Sequence, residues 1–370
     1  MLDELVRRHD VVICAGSGGV GKTTTAASVA LHAALGGRRT IVMTIDPAKR
    51  LADALGMHAA GLPNTPMAVE GVAGGRLSAM VLDQKSAWDE LVRRHAPSPE
   101  TCERILHNRF YQNLSQSFAG SQEYMAVEQL AALHASGRYD LIVVDTPPTR
   151  HALDFLDAPQ RIADLLDRSI VKWFVRPYFS ASWRTLRAVN RTVGFLFRRL
   201  EEATGISALS EVSEFFTSMG GLFEGFEPRV RRVYQLLRAR QTAFVLVVTP
   251  EEQVLSEAEY FCSKVRELEM PLRGVVFNRV HKELGAGRDL IRLEAVEQLL
   301  RRTLSEPAAA ERLALNFDRY EMLGRGDGLR VDAFRQLLPK NIAAVEVPNF
   351  NADLHSVDDL ERMHPFLFAG

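Results

Sequence analysis

The stretch VVICAGSGGVGKTT, residues 11–24, decides the fold. Its first residues are apolar or β-branched, which is typical of a strand buried on both faces of a sheet. The alanine-rich segment that follows has the composition and length of a helix. Between the two, the glycines meet the pattern G-x-x-x-x-G-K-[ST], which is typical of a phosphate-binding loop. The stretch therefore predicts a P-loop domain that binds a nucleotide.

Each part of this loop has a chemical role. Glycines let successive backbone N–H groups point at phosphate, at the positive end of a helix. We expect Lys22 to reach the β- and γ-phosphates and the Thr23 hydroxyl to bind Mg²⁺. The residues predicted to hold ATP or ADP here are Gly18, Gly19, Val20, Gly21, Lys22, Thr23 and Thr24.

Length and composition narrow the class of protein. A chain of 370 residues suits two domains, or one large α/β domain with an insertion. The net charge of −1 argues against a general nucleic-acid binder. Cys14, Cys102 and Cys262 form no C-x-x-C pair, so we expect neither disulfides nor zinc. No apolar run has the length of a membrane span, and we expect a cytoplasmic protein.

Strand-like and helix-like segments alternate along the chain. This alternation predicts an α/β fold, a mainly parallel sheet with helices on both faces. Residues 59–75 and the glycine-rich residues 324–328 are predicted to be a loop and a flexible turn, and residues 100–114 a single helix. After the first strand, further strands are expected at residues 40–45, 77–82, 139–144, 242–248, 272–277 and 342–347.

Residues 159–240 show no strand pattern and predict an inserted helical subdomain, which leaves residues 1–158 and 241–370 for the P-loop domain. Between residues 165 and 240, Lys and Arg outnumber Asp and Glu by 13 to 7, among many aromatic residues such as Trp173 and Phe195. One interpretation is an apolar groove with a basic rim that binds a client helix or a membrane surface. The other is a self-packed core that the arginine side chains cover.

Two aspartates follow apolar strands at the edge where an open parallel sheet binds its ligand. Asp46 follows the second predicted strand and Asp145 follows the fourth. A carboxylate in such a position suits Mg²⁺ through a water molecule and is able to activate the attacking water in phosphoryl transfer. For either aspartate alone, helix capping or turn formation is the alternative.

Three segments together resemble the ArsA/GET-type ATPases, which comprise arsenite-pump catalytic subunits and tail-anchored-protein targeting factors. Residues 16–24 are similar to their deviant phosphate loop. DPAKRLADALG (46–56) is similar to their switch I, and DTPPTRHALDFL (145–156) to their switch II. Shorter matches are AGSQEYMA (119–126), VVFNRV (275–280) and VPNFNADL (347–354). The resemblance implies a Mg²⁺-dependent ATPase that works as a dimer, in which the nucleotide state moves a helical subdomain.

The resemblance also assigns roles to residues. It implies that Asp46 activates the hydrolytic water beside Lys22, that Thr23 binds Mg²⁺ directly and that Asp145 binds it through water. It implies that the adenine lies against Asn278, Pro348 and Phe350.

The sequence departs from the family at three positions. Ser17 stands where the family has its signature lysine, which reaches the phosphates of the dimer partner. A serine supplies no positive charge, and the loss of such a group slows phosphoryl transfer. Lys49 and Arg150 replace a histidine and a glycine of the switches. We hypothesise that one of them, or an arginine of a partner subunit, supplies the missing charge.

Three functions stay open. The first is an ATPase that switches a subdomain binding hydrophobic or membrane-protein segments. The second is the energising subunit of an anion or metalloid pump, although the scattered cysteines disfavour a metalloid site. The third is a nucleotide-binding regulatory protein with weak or no hydrolysis. The expected partners are a second copy or a lysine-bearing paralogue, and a hydrophobic helix or a membrane-associated protein at the periphery of the membrane.

Overall fold

The computed structural model describes residues 2–45, 50–57, 64–72, 76–117, 121–147, 226–283, 293–304 and 306–369. In these ranges eight strands form one sheet. The strands are β1 Val11–Ala15, β2 Thr40–Thr44, β3 Met67–Ala68, β4 Leu77–Val81, β5 Leu141–Asp145, β6 Thr242–Val248, β7 Leu272–Val280 and β8 Ala343–Pro348.

The helices are numbered in chain order among the described residues, and none of these is long and apolar enough to cross a membrane. They are α1 Leu2–Arg8, α2 Lys22–Leu35, α3 Arg50–Ala54, α4 Gln84–His95, α5 Pro99–His107, α6 Arg109–Ser117, α7 Ser121–Ala135, α8 Phe226–Arg238, α9 Glu252–Glu267, α10 Leu293–Thr303, α11 Pro307–Leu337, α12 Val357–Glu361 and α13 His364–Leu367.

The strands lie in the order β3-β4-β2-β5-β1-β6-β7-β8. Every neighbouring pair is parallel except the short β3 and β4. The predicted α/β fold with a mainly parallel sheet is therefore confirmed. Because β1 lies between β5 and β6, the loop that follows it leaves the middle of the sheet, where open α/β sheets bind their ligands.

Alternate residues of β1 face two separate cores. Val11 and Ile13 contribute to a core shared with α4 to α9 and α11, whereas Val12 and Cys14 face a core shared with α1, α2, α3, α12 and α13. All four side chains are fully buried. This burial on both faces explains why the strand is a continuous apolar run and shows no polar alternation.

The predicted helix over residues 100–114 is wrong in one respect, because it is broken at Asn108. The backbone of Asn108 is extended, with φ −69° and ψ 126°. Its Oδ1 accepts a hydrogen bond from the backbone N–H of Tyr111 at 3.1 Å. A short amide side chain often caps a helix in this way, and α6 begins directly after it. Helices α1 and α3 and strand β3 also arise where no helix or strand was expected.

The predicted flexible turn at residues 324–328 is also wrong, because these residues lie inside the 31-residue helix α11. Three glycines in five positions weaken a helix in isolation. Here Gly324 and Asp327 are buried, and so are Val331 and Phe334 in the following turns. Tertiary packing therefore overrides the local preference, since most of the stability of a helix in a protein comes from its buried face.

Most of the predicted helical insertion, residues 159–225, lies outside the described residues, and so do Trp173 and Phe195. The described remainder contains α8, whose Val233 and Leu237 are buried in the core that also holds Phe244 of β6. Helix α8 is thus packed against the sheet. The division of the chain at residues 159 and 240 stays a prediction.

The end of the chain closes over α2 through a cluster of rings. His32 of α2 stacks on Phe368 with 3.7 Å between ring centroids, and His364 of α13 meets His32 edge-on at 5.1 Å. Within the described part of the chain, the buried Nε2 of His364 has no hydrogen-bond partner. Burial, together with the charge that His32 carries when protonated, lowers the pKa of His364 to about 4.

This cluster predicts a loss of stability in mild acid. His364 is neutral in the folded protein down to about pH 4, whereas an unfolded histidine takes up a proton near pH 6.5. Its contribution to stability is therefore complete above pH ~6.5 and is lost as the pH falls from there towards 4. The melting temperature of His364→Phe should fall less between pH 7.5 and 5.5, by about 2 °C, than that of the wild type. The exposed His355, changed to Phe, is the control; an equal fall in all three proteins would contradict the role of His364.

Candidate nucleotide site

Two glycines of the loop between β1 and α2 are required by close contacts. A Cβ atom on Gly16 would lie 2.1 Å from the carbonyl oxygen of Val247 in β6. A Cβ on Gly21 would lie 2.2 Å from Nδ2 of Asn278 in β7, and the backbone of Gly21 is left-handed, with φ 90°. A side chain on Gly16 would clash with the backbone of β6, and one on Gly21 would be strained and would displace Asn278, so both positions favour glycine. The loop is therefore shaped by β6 and β7 as well as by its own sequence.

The amide of Asn278 holds the loop against the end of β7. Its Nδ2 donates a hydrogen bond of 2.8 Å to the carbonyl oxygen of Val20. Val20 is buried, whereas Gly18 and Gly19 are exposed at the outer bend of the loop. The backbone of the predicted cradle thus faces solvent at its tip and is fixed at its base.

Lys22 lies at the start of α2 and is folded back over the loop. Its Nζ donates a hydrogen bond of 2.7 Å to the carbonyl oxygen of Ser17, and the residue is only 7% exposed. A buried ammonium group needs such a partner. A phosphate group in the loop would offer Lys22 a stronger, charged partner at the same place.

The side chain of Ser17 points to a different element. Its Oγ donates a hydrogen bond of 2.6 Å to Oε2 of Glu257, which belongs to α9 after β6. The position of the family's signature lysine therefore holds a hydroxyl group paired with a carboxylate. Nothing in the sequence indicated Glu257, because it lies 240 residues from Ser17 and in no recognisable motif.

Asp145 joins the phosphate loop to two strands. It ends β5 and is completely buried. Its Oδ2 accepts hydrogen bonds from Oγ1 of Thr23 at 2.7 Å and from Oγ1 of Thr44 at 2.9 Å. Thr44 is the residue of β2 that pairs with Asp145 in the sheet. The structure thus brings together two of the residues predicted to bind Mg²⁺, and adds Thr44, which sequence analysis missed.

These residues fit the predicted Mg²⁺ ion by their chemistry. A hydroxyl and a carboxylate are the oxygen ligands that Mg²⁺ takes from a protein when phosphate and water supply the rest. Asp145 already binds the hydroxyl of Thr23, so both groups are at the same point beside the loop. The roles of Thr23 and Asp145 towards the metal stay predictions.

The three residues predicted to contact adenine line one cleft. Asn278, Pro348 and Phe350 surround a volume of about 580 Å³, which Gly21 and Thr24 also border. The cleft therefore opens directly beside the start of α2. Its volume is within the range of small-ligand sites. Asn278, Pro348 and Phe350 thus line the same cleft. Their contact with a base stays a prediction.

Several predicted residues lie outside the described ranges. They are Asp46 and Lys49, which follow β2, and Arg150, which follows β5. The described part of β2 ends beside Asp145, where the backbone N–H of Ile45 donates a hydrogen bond of 3.2 Å to the carbonyl oxygen of Asp145.

The cysteines lie in three separate elements. Cys14 is in β1, Cys102 in α5 and Cys262 in α9. Burial raises the pKa of Cys14 far above its usual range, and burial raises that of Cys262 to about 11. In the ranges that the structure describes, no group of three or more His, Cys, Asp or Glu side chains is placed to hold a metal ion.

Comparison with known proteins decides the family. The sequence profile of the anion-transporting ATPases matches residues 9–299, which include the phosphate loop, Asp145 and Asn278. The chain belongs to the anion-transporting (ArsA) ATPase family. The resemblance drawn from the three sequence motifs is thereby confirmed, and so is the predicted class of enzyme.

Named relatives of the chain are also ATPases. It is 26% identical to "ATPase GET3" of Malassezia globosa over 275 residues, covering 73% of this chain and 72% of the relative. It is 26% identical to "ATPase ASNA1 homolog 1" of Paramecium tetraurelia, covering 73% and 74%. It is 28% identical to "ATPase ARSA2" of Chlamydomonas reinhardtii, covering 73% and 67%.

The family profile ends at residue 299, so α11 and β8 lie beyond it.

The contact between Gly21 and Asn278 predicts the effect of a methyl group. Gly21→Ala should weaken ATP binding about tenfold or more, because a left-handed alanine is strained by about 1–2 kcal/mol and its Cβ would push Asn278 off the loop. Gly19→Ala is the matched control, because Gly19 also has positive φ but no atom within 4 Å of an added Cβ. Calorimetric titration with ATP measures both variants. Equal losses in the two would show that the contact with Asn278 does not matter.

Proposed function

We propose that this member of the family is a Mg²⁺-dependent ATPase in which the nucleotide state switches a helical, client-binding part of the chain. The observation that carries the proposal is the contact of Thr23 with Asp145 at the phosphate loop. A P-loop hydroxyl next to a buried aspartate at the end of a parallel strand is the arrangement that P-loop nucleotide hydrolases use for their metal.

In this proposal each residue of the chain has a defined task. The backbone N–H groups of residues 18–24 hold the phosphates, and Lys22 exchanges the carbonyl oxygen of Ser17 for a phosphate oxygen. Thr23 and, through water, Asp145 hold Mg²⁺, which would neutralise charge on the phosphates when bound. Asp46 orients and deprotonates the attacking water. Thr44 keeps the carboxylate of Asp145 in place through its hydrogen bond of 2.9 Å.

Adenine is proposed to lie in the cleft beside Gly21. Nδ2 of Asn278 donates a hydrogen bond to the carbonyl oxygen of Val20. Oδ1 of Asn278 is therefore the atom that would accept a hydrogen bond from the amino group of adenine. Pro348 and Phe350 offer apolar surface to the base. The same amide would then shape the phosphate loop and select the base.

A second candidate is a regulatory protein that binds nucleotide and hydrolyses it slowly. The contact of Ser17 with Glu257 favours it, because a carboxylate lies within hydrogen-bond distance of the residue that stands at the family's lysine position. A negative charge there opposes charge stabilisation in the transition state. Under this alternative hydrolysis stays slow unless a lysine-bearing paralogue, or Lys49 or Arg150 of this chain, supplies the missing cation.

The client and the assembly are proposed by analogy with the family. We propose a dimer, with a second copy or a paralogue, that takes hydrophobic helices of membrane proteins into the segment of residues 159–240. Transport of a metalloid is the less favoured activity, since soft ions require clustered thiolates, and Cys14 is a buried, protonated thiol.

The change Asp46→Asn tests the proposal. It should reduce ATP turnover by about a hundredfold or more, because the general base is lost, while ATP binding is kept. Phosphate release measures turnover. Light scattering with ATP should give twice the 41.3 kDa mass of one chain for both proteins. Turnover that persists in Asp46→Asn would refute the assignment of the base, and monomers with ATP would refute the dimer.

A further inference from the structure

Three loops at the carboxyl ends of β6, β7 and β8 enclose the base cleft. They are residues 249–251, residues 278–281, which include the last residues of β7, and residues 348–350, which begin with the last residue of β8. All three contribute to the wall of the cleft. Hydrogen-bonded cross-links between neighbouring loops fix the positions of the loops relative to one another. The structure provides such links through one side chain of α11, which lies beyond the part of the chain that the family profile matches.

That side chain is Asp327, which is only 5% exposed. Its Oδ2 accepts two hydrogen bonds from His281 at the end of β7, from the backbone N–H at 2.9 Å and from the ring Nδ1 at 2.8 Å. Its Oδ1 accepts a hydrogen bond from Nη2 of Arg330 at 2.8 Å. A buried carboxylate with three donors is fixed in position, since moving it would leave charged and polar groups unpaired.

The segments after β6 and β8 are tied to Arg330 and to His281, the two residues that donate hydrogen bonds to Asp327. Nε of Arg330 donates to the carbonyl oxygen of Pro250 in the loop after β6, at 2.5 Å. Nδ2 of Asn349, in the loop after β8, donates to Nε2 of His281 at 3.2 Å. The two ring nitrogens of His281 thus join Asp327 on one side to Asn349 on the other. All three walls of the cleft are therefore linked to α11, those after β7 and β8 through His281 and Asp327, and that after β6 through Arg330, which Asp327 holds.

The local backbone depends on this link. Between Asn278 and Val280, Arg279 adopts a left-handed conformation with φ 55°, and the pairing of β7 with β8 shifts register there. Such an irregularity is costly for a residue with a side chain and persists only where the surroundings hold it. Gly324 permits the close approach, because a Cβ on it would lie 2.8 Å from the backbone nitrogen of Glu283.

We propose that Asp327 is a positioning residue for the nucleobase pocket. By holding His281, and through it Asn349, and by holding Arg330 on Pro250, it sets the place of Asn278 and of the apolar wall opposite. This proposal rests on the proposed function, in which ATP binds in this cleft. It makes α11 part of the machinery that selects the nucleotide, although the helix contributes no residue to the phosphate loop.

The test separates base binding from phosphate binding. ATP, GTP and inorganic tripolyphosphate are titrated into the wild type and into Asp327→Asn, an uncharged residue of nearly equal size. We expect ATP affinity to fall about tenfold, the scale of one buried charged hydrogen bond, and the preference for ATP over GTP to shrink. Tripolyphosphate, which needs only the phosphate loop, should bind both proteins equally. The matched control is Asp332→Asn on the exposed side of the same helix.

Two further outcomes keep the test decisive. Should Asp327→Asn unfold, His281→Phe removes both hydrogen bonds of the ring without a substitution in α11 and must reproduce the selective loss of ATP affinity. Equal losses of ATP and tripolyphosphate binding, or unchanged ATP binding in a folded Asp327→Asn, would overturn the positioning role. A wild type that binds tripolyphosphate but no ATP would overturn the proposed function itself, and the role of Asp327 would fall with it.

Discussion

The buried carboxylate of Asp145 is the interaction on which the site depends. It accepts hydroxyl hydrogen bonds from Thr23 at the start of α2 and from Thr44 at the end of β2. One completely buried carboxyl group therefore connects the phosphate loop to β5 and to its neighbour β2. A buried polar group is costly unless it is hydrogen-bonded, so the two hydroxyl donors on Oδ2 favour one relative position of α2, β2 and β5. Under the proposed function, a chain that retained the loop but lost this contact would hold phosphates without a fixed place for Mg²⁺.

The central part of the fold could be predicted because its residues leave few choices. Strands such as β1 and β6 are buried on both faces and read as continuous apolar runs. When the glycines of the loop, with Lys22 and Thr23, lie between a strand and a helix, they are typical of a phosphate-binding loop. Asp145 was found because parallel strands end at the same edge of a sheet, which brings distant residues together.

The remaining features depend on contacts that are distant in sequence. Residues 324–328 look like a turn, yet Asp327 and Gly324 fix them inside α11 through His281 and the backbone of Glu283. Glu257 and Thr44 belong to no motif, and only the packed structure places them beside Ser17 and Asp145. Asn108 broke a helix because its side chain capped the next one, a local event that periodicity alone does not reveal. The sequence pattern thus predicts the strand, loop and helix around the candidate phosphate site, but not the distant contacts that support it.

The central claim is that Asp145, with Thr23, makes nucleotide binding depend on Mg²⁺. The most direct measurement is the affinity for ATP with and without Mg²⁺ in the wild type and in Asp145→Asn, by calorimetric titration. The account predicts that Mg²⁺ strengthens ATP binding by about tenfold or more in the wild type, and that Asp145→Asn loses most of this gain while it keeps its affinity in the absence of Mg²⁺. An equal gain from Mg²⁺ in both proteins would contradict it.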